Sequence, residues 1–194
     1  MASAAKESLY ELQECLESLL NAAEGKSPQT RWREALNHVA AHISSAFKVT
    51  ESEVAVLLKT RDGQELKFAY PPGLAAGANI FPLKVWSFAG NVAKTATGAL
   101  DNAFTEKRHL HFYEHIKVDG PKSGPIHKIM AAPFKFEGEV FGVVEVSRKG
   151  PSAAEAGPDF NSSDLALLYD IVDRVAPYLG SLKSIATGGK SPAS

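Results

Sequence analysis

The chain has 194 residues, enough for one well-buried domain with terminal extensions and a tight fit for two. Its 21 lysines and arginines against 22 aspartates and glutamates leave a formal charge of -1, which argues against a general nucleic-acid binder, since displacing counterions from phosphates needs a basic excess. No apolar run approaches the roughly 18–20 residues that span a bilayer. Met1 to Glu7 lack the pattern of a secretory signal. One cysteine, Cys15, can form neither an internal disulfide nor a multi-thiolate metal site. A cytoplasmic chain with one main domain is the expectation.

The elements follow in order. Leu9, Leu12, Leu16, Leu19 and Leu20 recur at three- and four-residue steps among Glu7, Glu11, Glu14 and Glu17, an amphipathic helix over 5–24. It is too short to stand alone, so its leucine seam needs a partner. Gly25 ends it, and Ser27-Pro28 predicts a cap and first turn of a second helix running to about Phe47. Trp32, Leu36, Val39, Ile43 and Phe47 form that helix's stripe. The period then changes to two: Val54 to Lys59 and Leu66 to Tyr70 read as strands joined at Asp62-Gly63. Pro71-Pro72-Gly73 stops the hairpin, residues 74–84 read as irregular, and Ser87 to Thr97 reads as a short helix closed by Gly98.

From Ala99 to Pro125 the pattern is weak, with a strand or helical turn expected at Leu110 to Tyr113. Ile129 to Phe136 and Val140 to Val146 are the clearest strand pair, and Pro133 removes a ladder donor, which places it at an edge or a bulge. The last helix opens with Asn161 as cap, Asp164 in the capping-box position, and Phe160 and Leu165 as a staple. Leu165, Leu168, Ile171, Val172, Val175 and Leu179 form its stripe, and Pro177 should kink or weaken its final turn. The order predicts an α+β domain: an antiparallel sheet with the terminal helices on one face and the short helix and irregular middle on the other. The expected division is an N-terminal helix over 1–25, a domain over 26–184, and a disordered tail over 185–194.

This arrangement resembles a GAF domain, a sensory module of signalling proteins. The resemblance is carried by Phe88-Ala89-Gly90-Asn91-Val92-Ala93-Lys94-Thr95 with Gly98 and Asp101-Asn102, by Ile129 to Phe134, by Gly138 to Glu145, and by the helix opening at Asp164-Leu165. It covers roughly residues 30–183 in family order. It implies a small-ligand site between the sheet and the irregular middle, with candidate walls Trp86, Ser87, Phe88, Asn91, Phe112, Tyr113, Ala132 and Phe134; the alternative is that these residues are simply core. The family's cyclic-nucleotide signature is matched only by Lys149, Phe160 and Asp164, with Arg148 and Leu165 where the signature has asparagine and glutamate. Capping already accounts for Phe160 and Asp164, and a Lys149–Asp164 ion pair could pin strand to helix. A covalent bilin or a cysteine relay is not expected with Cys15 alone.

His109, His111 and His115 form the one metal-like cluster, without an acid or thiolate at a fixed spacing. Together with Lys107 and Arg108, His109 and His111 suit an anion at the mouth of a pocket better than a metal. His38 and His42 flank the second helix's stripe and read as packing or surface residues. No phosphate loop, nucleophile elbow or supported carboxylate pair is present, so neither catalysis nor a cofactor is expected. Two functions remain open. One is a ligand-binding sensory or regulatory domain that acts through a separate signalling protein. The other is a ligand-free module for partner docking or for homodimerisation through the terminal helices.

Overall fold

A computed structural model describes residues 2–22, 25–77, 80–104 and 124–188, with side chains from Ser8 onward. Two helices come first, α1 (Ala2–Asn21) and α2 (Pro28–Phe47). Ser27 caps α2 as its sequence requires, accepting the Thr30 backbone N–H at 3.1 Å, with Pro28 in the first turn where a missing N–H costs nothing. A 3-10 turn at Glu51–Glu53 leads into β1 (Val54–Lys59) and β2 (Glu65–Tyr70). The segment expected to be irregular holds a single helical turn, α3 (Pro72–Ala75), and a short strand, β3 (Ile80–Pro82), that pairs with β2. Then come α4 (Phe88–Thr95), β4 (Ala99–Asp101), β5 (Ile126–Phe136), β6 (Glu139–Lys149) and α5 (Ser162–Ala186).

The strands form one antiparallel sheet in the order β3-β2-β1-β6-β5-β4, so β1 and β6 lie at its centre. Pro133 sits in β5 two residues past Ala131, where pairing with β4 ends, and just before a register shift at Phe134/Lys135. A residue without an N–H therefore falls where β5 has only one neighbour. The α+β reading holds.

Alternation along the strands divides the core in two. Val54, Val56, Met130, Ala132, Phe134, Val144 and Val146 face the terminal helices, where α5 contributes Leu168, Ile171, Val172, Val175 and Leu179. The leucine seam of α1 closes this layer: Leu9, Leu12, Leu16 and Leu19 are buried against α2 and α5 of the same chain. Leu57, Leu66, Phe68, Ala131 and Val143 face the opposite way, toward Ala89, Val92 and Ala93 of α4. These are the helical face and the α4 face.

The start of α5 follows its sequence signature. The Asn161 side chain accepts the backbone N–H groups of Ser163 and Asp164, while Asp164 accepts the Asn161 N–H at 2.9 Å. Its end does not. The helix runs nine residues past Pro177, because packing of Leu179 and Leu182 outweighs one lost backbone hydrogen bond. Ile185 and Ala186, expected in the tail, are therefore helical, and residues 189–194 lie outside the described residues. No helix among the described residues is long and apolar enough to cross a membrane.

Candidate functional site

The α4 face is built by a short helix laid on the central strands. Ser87 caps α4, its Oγ accepting the Gly90 N–H at 3.0 Å, and the apolar side of the helix (Ala89, Val92, Ala93) is buried against β5 and β6. The small residues let the helix axis come close to the sheet. Phe88 packs edge-on against Phe104 at 5.9 Å between centroids, and Phe68 against Phe81 at 5.3 Å, closing the ends of this layer.

Beside α4 the sheet changes character. A cross-strand row on this face runs Ala55, Glu145, Ala131, Ala99 over β1, β6, β5 and β4. Ala55, Ala99 and Ala131 belong to the α4-face cluster, and Glu145 lies between Val144 and Val146, which both point to the helical face. Glu145 is 4% exposed. Asp101, at the sheet edge, also projects to this side, since its neighbour Leu100 packs on the helical face; its carboxylate accepts the Ala103 N–H at 2.9 Å.

Some expected wall residues lie here and others do not. Ser87 and Phe88 are on α4 as cap and edge packing, while Asn91 is exposed and Trp86 is 51% exposed. Ala132 and Phe134 are a correction: both point to the helical face, where Phe134 stacks on Phe141 at 5.7 Å. In a strand, successive side chains take opposite faces, so Ala131, not Ala132, belongs to the α4 side. His109, His111, Phe112 and Tyr113 lie outside the described residues, as do Lys107, Arg108 and His115. Sequence reading missed Glu145, Ala55, Ala99 and Ala131 as a group. The available signal was a single acid inside Val143-Val144-Glu145-Val146.

The partial nucleotide signature is structural. Lys149 does not pair with Asp164; its Nζ donates to the Ser52 carbonyl at 2.8 Å, and its backbone N–H donates to Glu53 Oε1 at 2.8 Å. Burial pulls the Lys149 ammonium below its ordinary value, opposed by Glu53 and then Glu145. Arg148 lies over the Phe160 ring at 4.6 Å and donates to the Phe47 carbonyl at 3.3 Å; burial lowers it too, opposed by Glu53 and Asp164. Lys128 pairs with Asp159 at 2.7 Å and donates to the Gly157 carbonyl. All three bind the β5–β6 end to flanking backbone. Among the described residues no three His, Cys, Asp or Glu converge as a metal site, and His38 is exposed.

Two links tie the edge of the sheet to α5. The Asn102 side chain donates to the Phe160 carbonyl at 2.8 Å and accepts the Phe160 N–H at 3.0 Å. The Gly98 N–H donates to the Tyr169 hydroxyl, and a Cβ at Gly98 would lie 2.8 Å from both the Ala131 carbonyl oxygen and that hydroxyl.

A six-stranded antiparallel sheet with terminal helices on one face and a short capped helix on the other defines a class of α+β domain shared with many solved structures. That class is the GAF fold. The chain is similar to the GAF domain of an Acinetobacter phosphoenolpyruvate-protein phosphotransferase, with TM-score 0.63 and 16% identity over 95% of this chain and 97% of that one. It is similar to the A. aeolicus nlh2 GAF domain in an inactive state, with TM-score 0.58 and 17% identity over 93% and 98%. It is also similar to a free methionine-R-sulfoxide reductase from Neisseria meningitidis in complex with its substrate, with TM-score 0.59 and 15% identity over 96% and 92%. No family model matches the sequence, and no curated protein matches it.

Proposed function

We propose that this chain is a sensory or regulatory domain that binds a small molecule on its α4 face, acts in cytoplasmic signal transduction, and passes its state to a separate signalling protein. The observation that supports the reading is the row Ala55, Glu145, Ala131, Ala99: a buried carboxylate among methyl side chains, on a sheet whose other face is filled by large aliphatic residues. Small side chains on rigid strands keep the floor of this face low, and the acid there puts charge into an otherwise apolar layer. The role is binding, not catalysis. The single thiol, Cys15, packs against the helical face, so the α4 face has no cysteine with which to reduce a sulfoxide.

Thermal denaturation with metabolite, nucleotide and metal libraries tests the reading. A true ligand at about 100 times its Kd adds roughly 2.7 kcal/mol of apparent stability. The melting temperature then rises with ligand concentration, and a flat response across all the libraries would sink the proposal.

The second reading is a ligand-free docking or homodimerisation module. Ile80 (41% exposed) and Val85 (46% exposed) favour it, lying at and just after the sheet-edge strand β3. The leucine seam does not, since its own chain covers it. Sedimentation of the wild type beside the double variant Ile80→Lys, Val85→Lys decides this: a dimer that becomes a monomer supports the module, and a wild-type monomer excludes a dimer.

A further inference from the structure

We infer that the docking of α1 responds to pH through His42: protonation of its ring loosens the N-terminal half of α1 while the C-terminal half stays fastened. Two polar contacts set α1 on α2, residue 8 with residue 42 and residues 19 and 20 with residue 31, so the helices run antiparallel. The contacts differ in kind. Buried Arg31 donates to the Leu19 and Leu20 carbonyls at 3.2 and 3.1 Å, and a guanidinium keeps its charge throughout the physiological range. At the other end the Ser8 hydroxyl lies 3.3 Å from His42 Nδ1, an atom that can accept a hydrogen bond only while the ring is neutral.

His42 is half-buried next to Ile43 of the α2 stripe, and Ser8 stands next to Leu9 of the leucine seam, so the pair lies at the margin of the apolar contact. Burial pushes the ring below its ordinary value, because an imidazolium there gives up water that an apolar seam does not replace. The charges on the surrounding elements do little to offset this. Glu11, one turn along α1 from Ser8, and His38, one turn along α2 from His42, are exposed, as is Lys48 at the end of α2, and water screens them. On α5, Asp170 and Arg174 pair with each other at 3.0 Å and Asp173 is exposed. In the 3-10 turn, Glu51 accepts the Tyr70 hydroxyl and Glu53 accepts the Lys149 N–H. The sign follows from linkage: a ring that titrates lower when docked than when free stabilises docking in full on the neutral side, and that contribution is lost as pH falls through the docked value. A loosened α1 uncovers Leu9 and Leu12, an apolar surface that is available only under acid conditions.

Hydrogen exchange of the full chain at about pH 7.5 and about pH 5.5, corrected for intrinsic rates, reads the effect segment by segment. Residues 8–16 should lose protection at least about three-fold on the acid side, while residues 17–22 and the β5–β6 pair keep theirs. His42→Gln retains a polar side chain that does not titrate, so its protection over residues 8–16 should be the same at both pH values. His38→Gln, one turn away and exposed, should behave as the wild type. Unchanged protection in the wild type overturns the inference, as does a loss spread evenly over the chain or a folded His42→Gln that keeps the wild-type response. Titration of the His42 ring by NMR in the wild type alone covers the case in which His42→Gln does not fold. A ring that titrates lower in the folded chain than in urea supports the inference, and one that titrates at the same pH in both overturns it.

Discussion

At Gly180 two local effects of opposite sign compete, and their sizes decide the outcome. Glycine in a helix interior is about 1 kcal/mol worse than alanine, so Gly180→Ala in an isolated helix would stabilise. In the fold, a Cβ there would lie 2.3 Å from Phe136 Cγ and 2.8 Å from its Cβ, atoms near the base of the ring that cannot swing aside. Overpacking of this kind costs about 1–3 kcal/mol. Gly180→Ala should therefore lower stability by up to about 2 kcal/mol, seen as a lower urea midpoint with an unchanged slope. Adding Phe136→Ala should recover part of the loss, and a double-mutant cycle without coupling would show that α5 does not rest on this ring. Glu145 shows how far a single residue can be read from sequence. An acid in a run of valines was visible, but which of two adjacent alanines shares its face was not, because the strand register that decides it comes from pairing with β5.

The helical elements were legible where local chemistry dictates them. Ser27-Pro28 and the Asn161–Asp164 box each carry the hydrogen bonds their sequences call for. The partner of the leucine seam was not legible, since periodicity gives a face and says nothing of what meets it. Arg31 shows what fixes that choice. Buried in α2, it donates through Nη1 to the carbonyls of Leu19 and Leu20, at 3.2 and 3.1 Å, two of the groups a helix C-terminus leaves without intrahelical donors. Its positive charge also suits the negative end of the α1 dipole. Arg31→Ala removes charged donors from buried carbonyls and should cost about 2–3 kcal/mol. The first sign should be local: hydrogen exchange and proteolysis in residues 8–22 rising before the sheet opens. Uniform loosening across the chain would mean α1 and the sheet unfold as one unit.

At the scale of the whole molecule, the sheet separates two layers of different composition. The helical face is a continuous aliphatic core, and the α4 face combines a thinner apolar cluster with Glu145. Sequence order predicted this layering, since hairpin strands flanked by terminal helices leave few other arrangements. The connection between the layers was invisible, because Asn102 and Phe160 are 58 residues apart. Asn102→Ala should leave both Phe160 backbone groups without their partner, at a cost of about 1–2 kcal/mol. It should speed hydrogen exchange in β4 and in the first turn of α5 together, whereas acceleration confined to β4 would show that the two are independent. Tyr169 and Asn102 thus work as two rivets joining the outermost strand to the longest helix around the rim of the sheet. A small movement of that strand needs no path through the packed interior to be felt on the far side, because it would crank the C-terminal helix from outside.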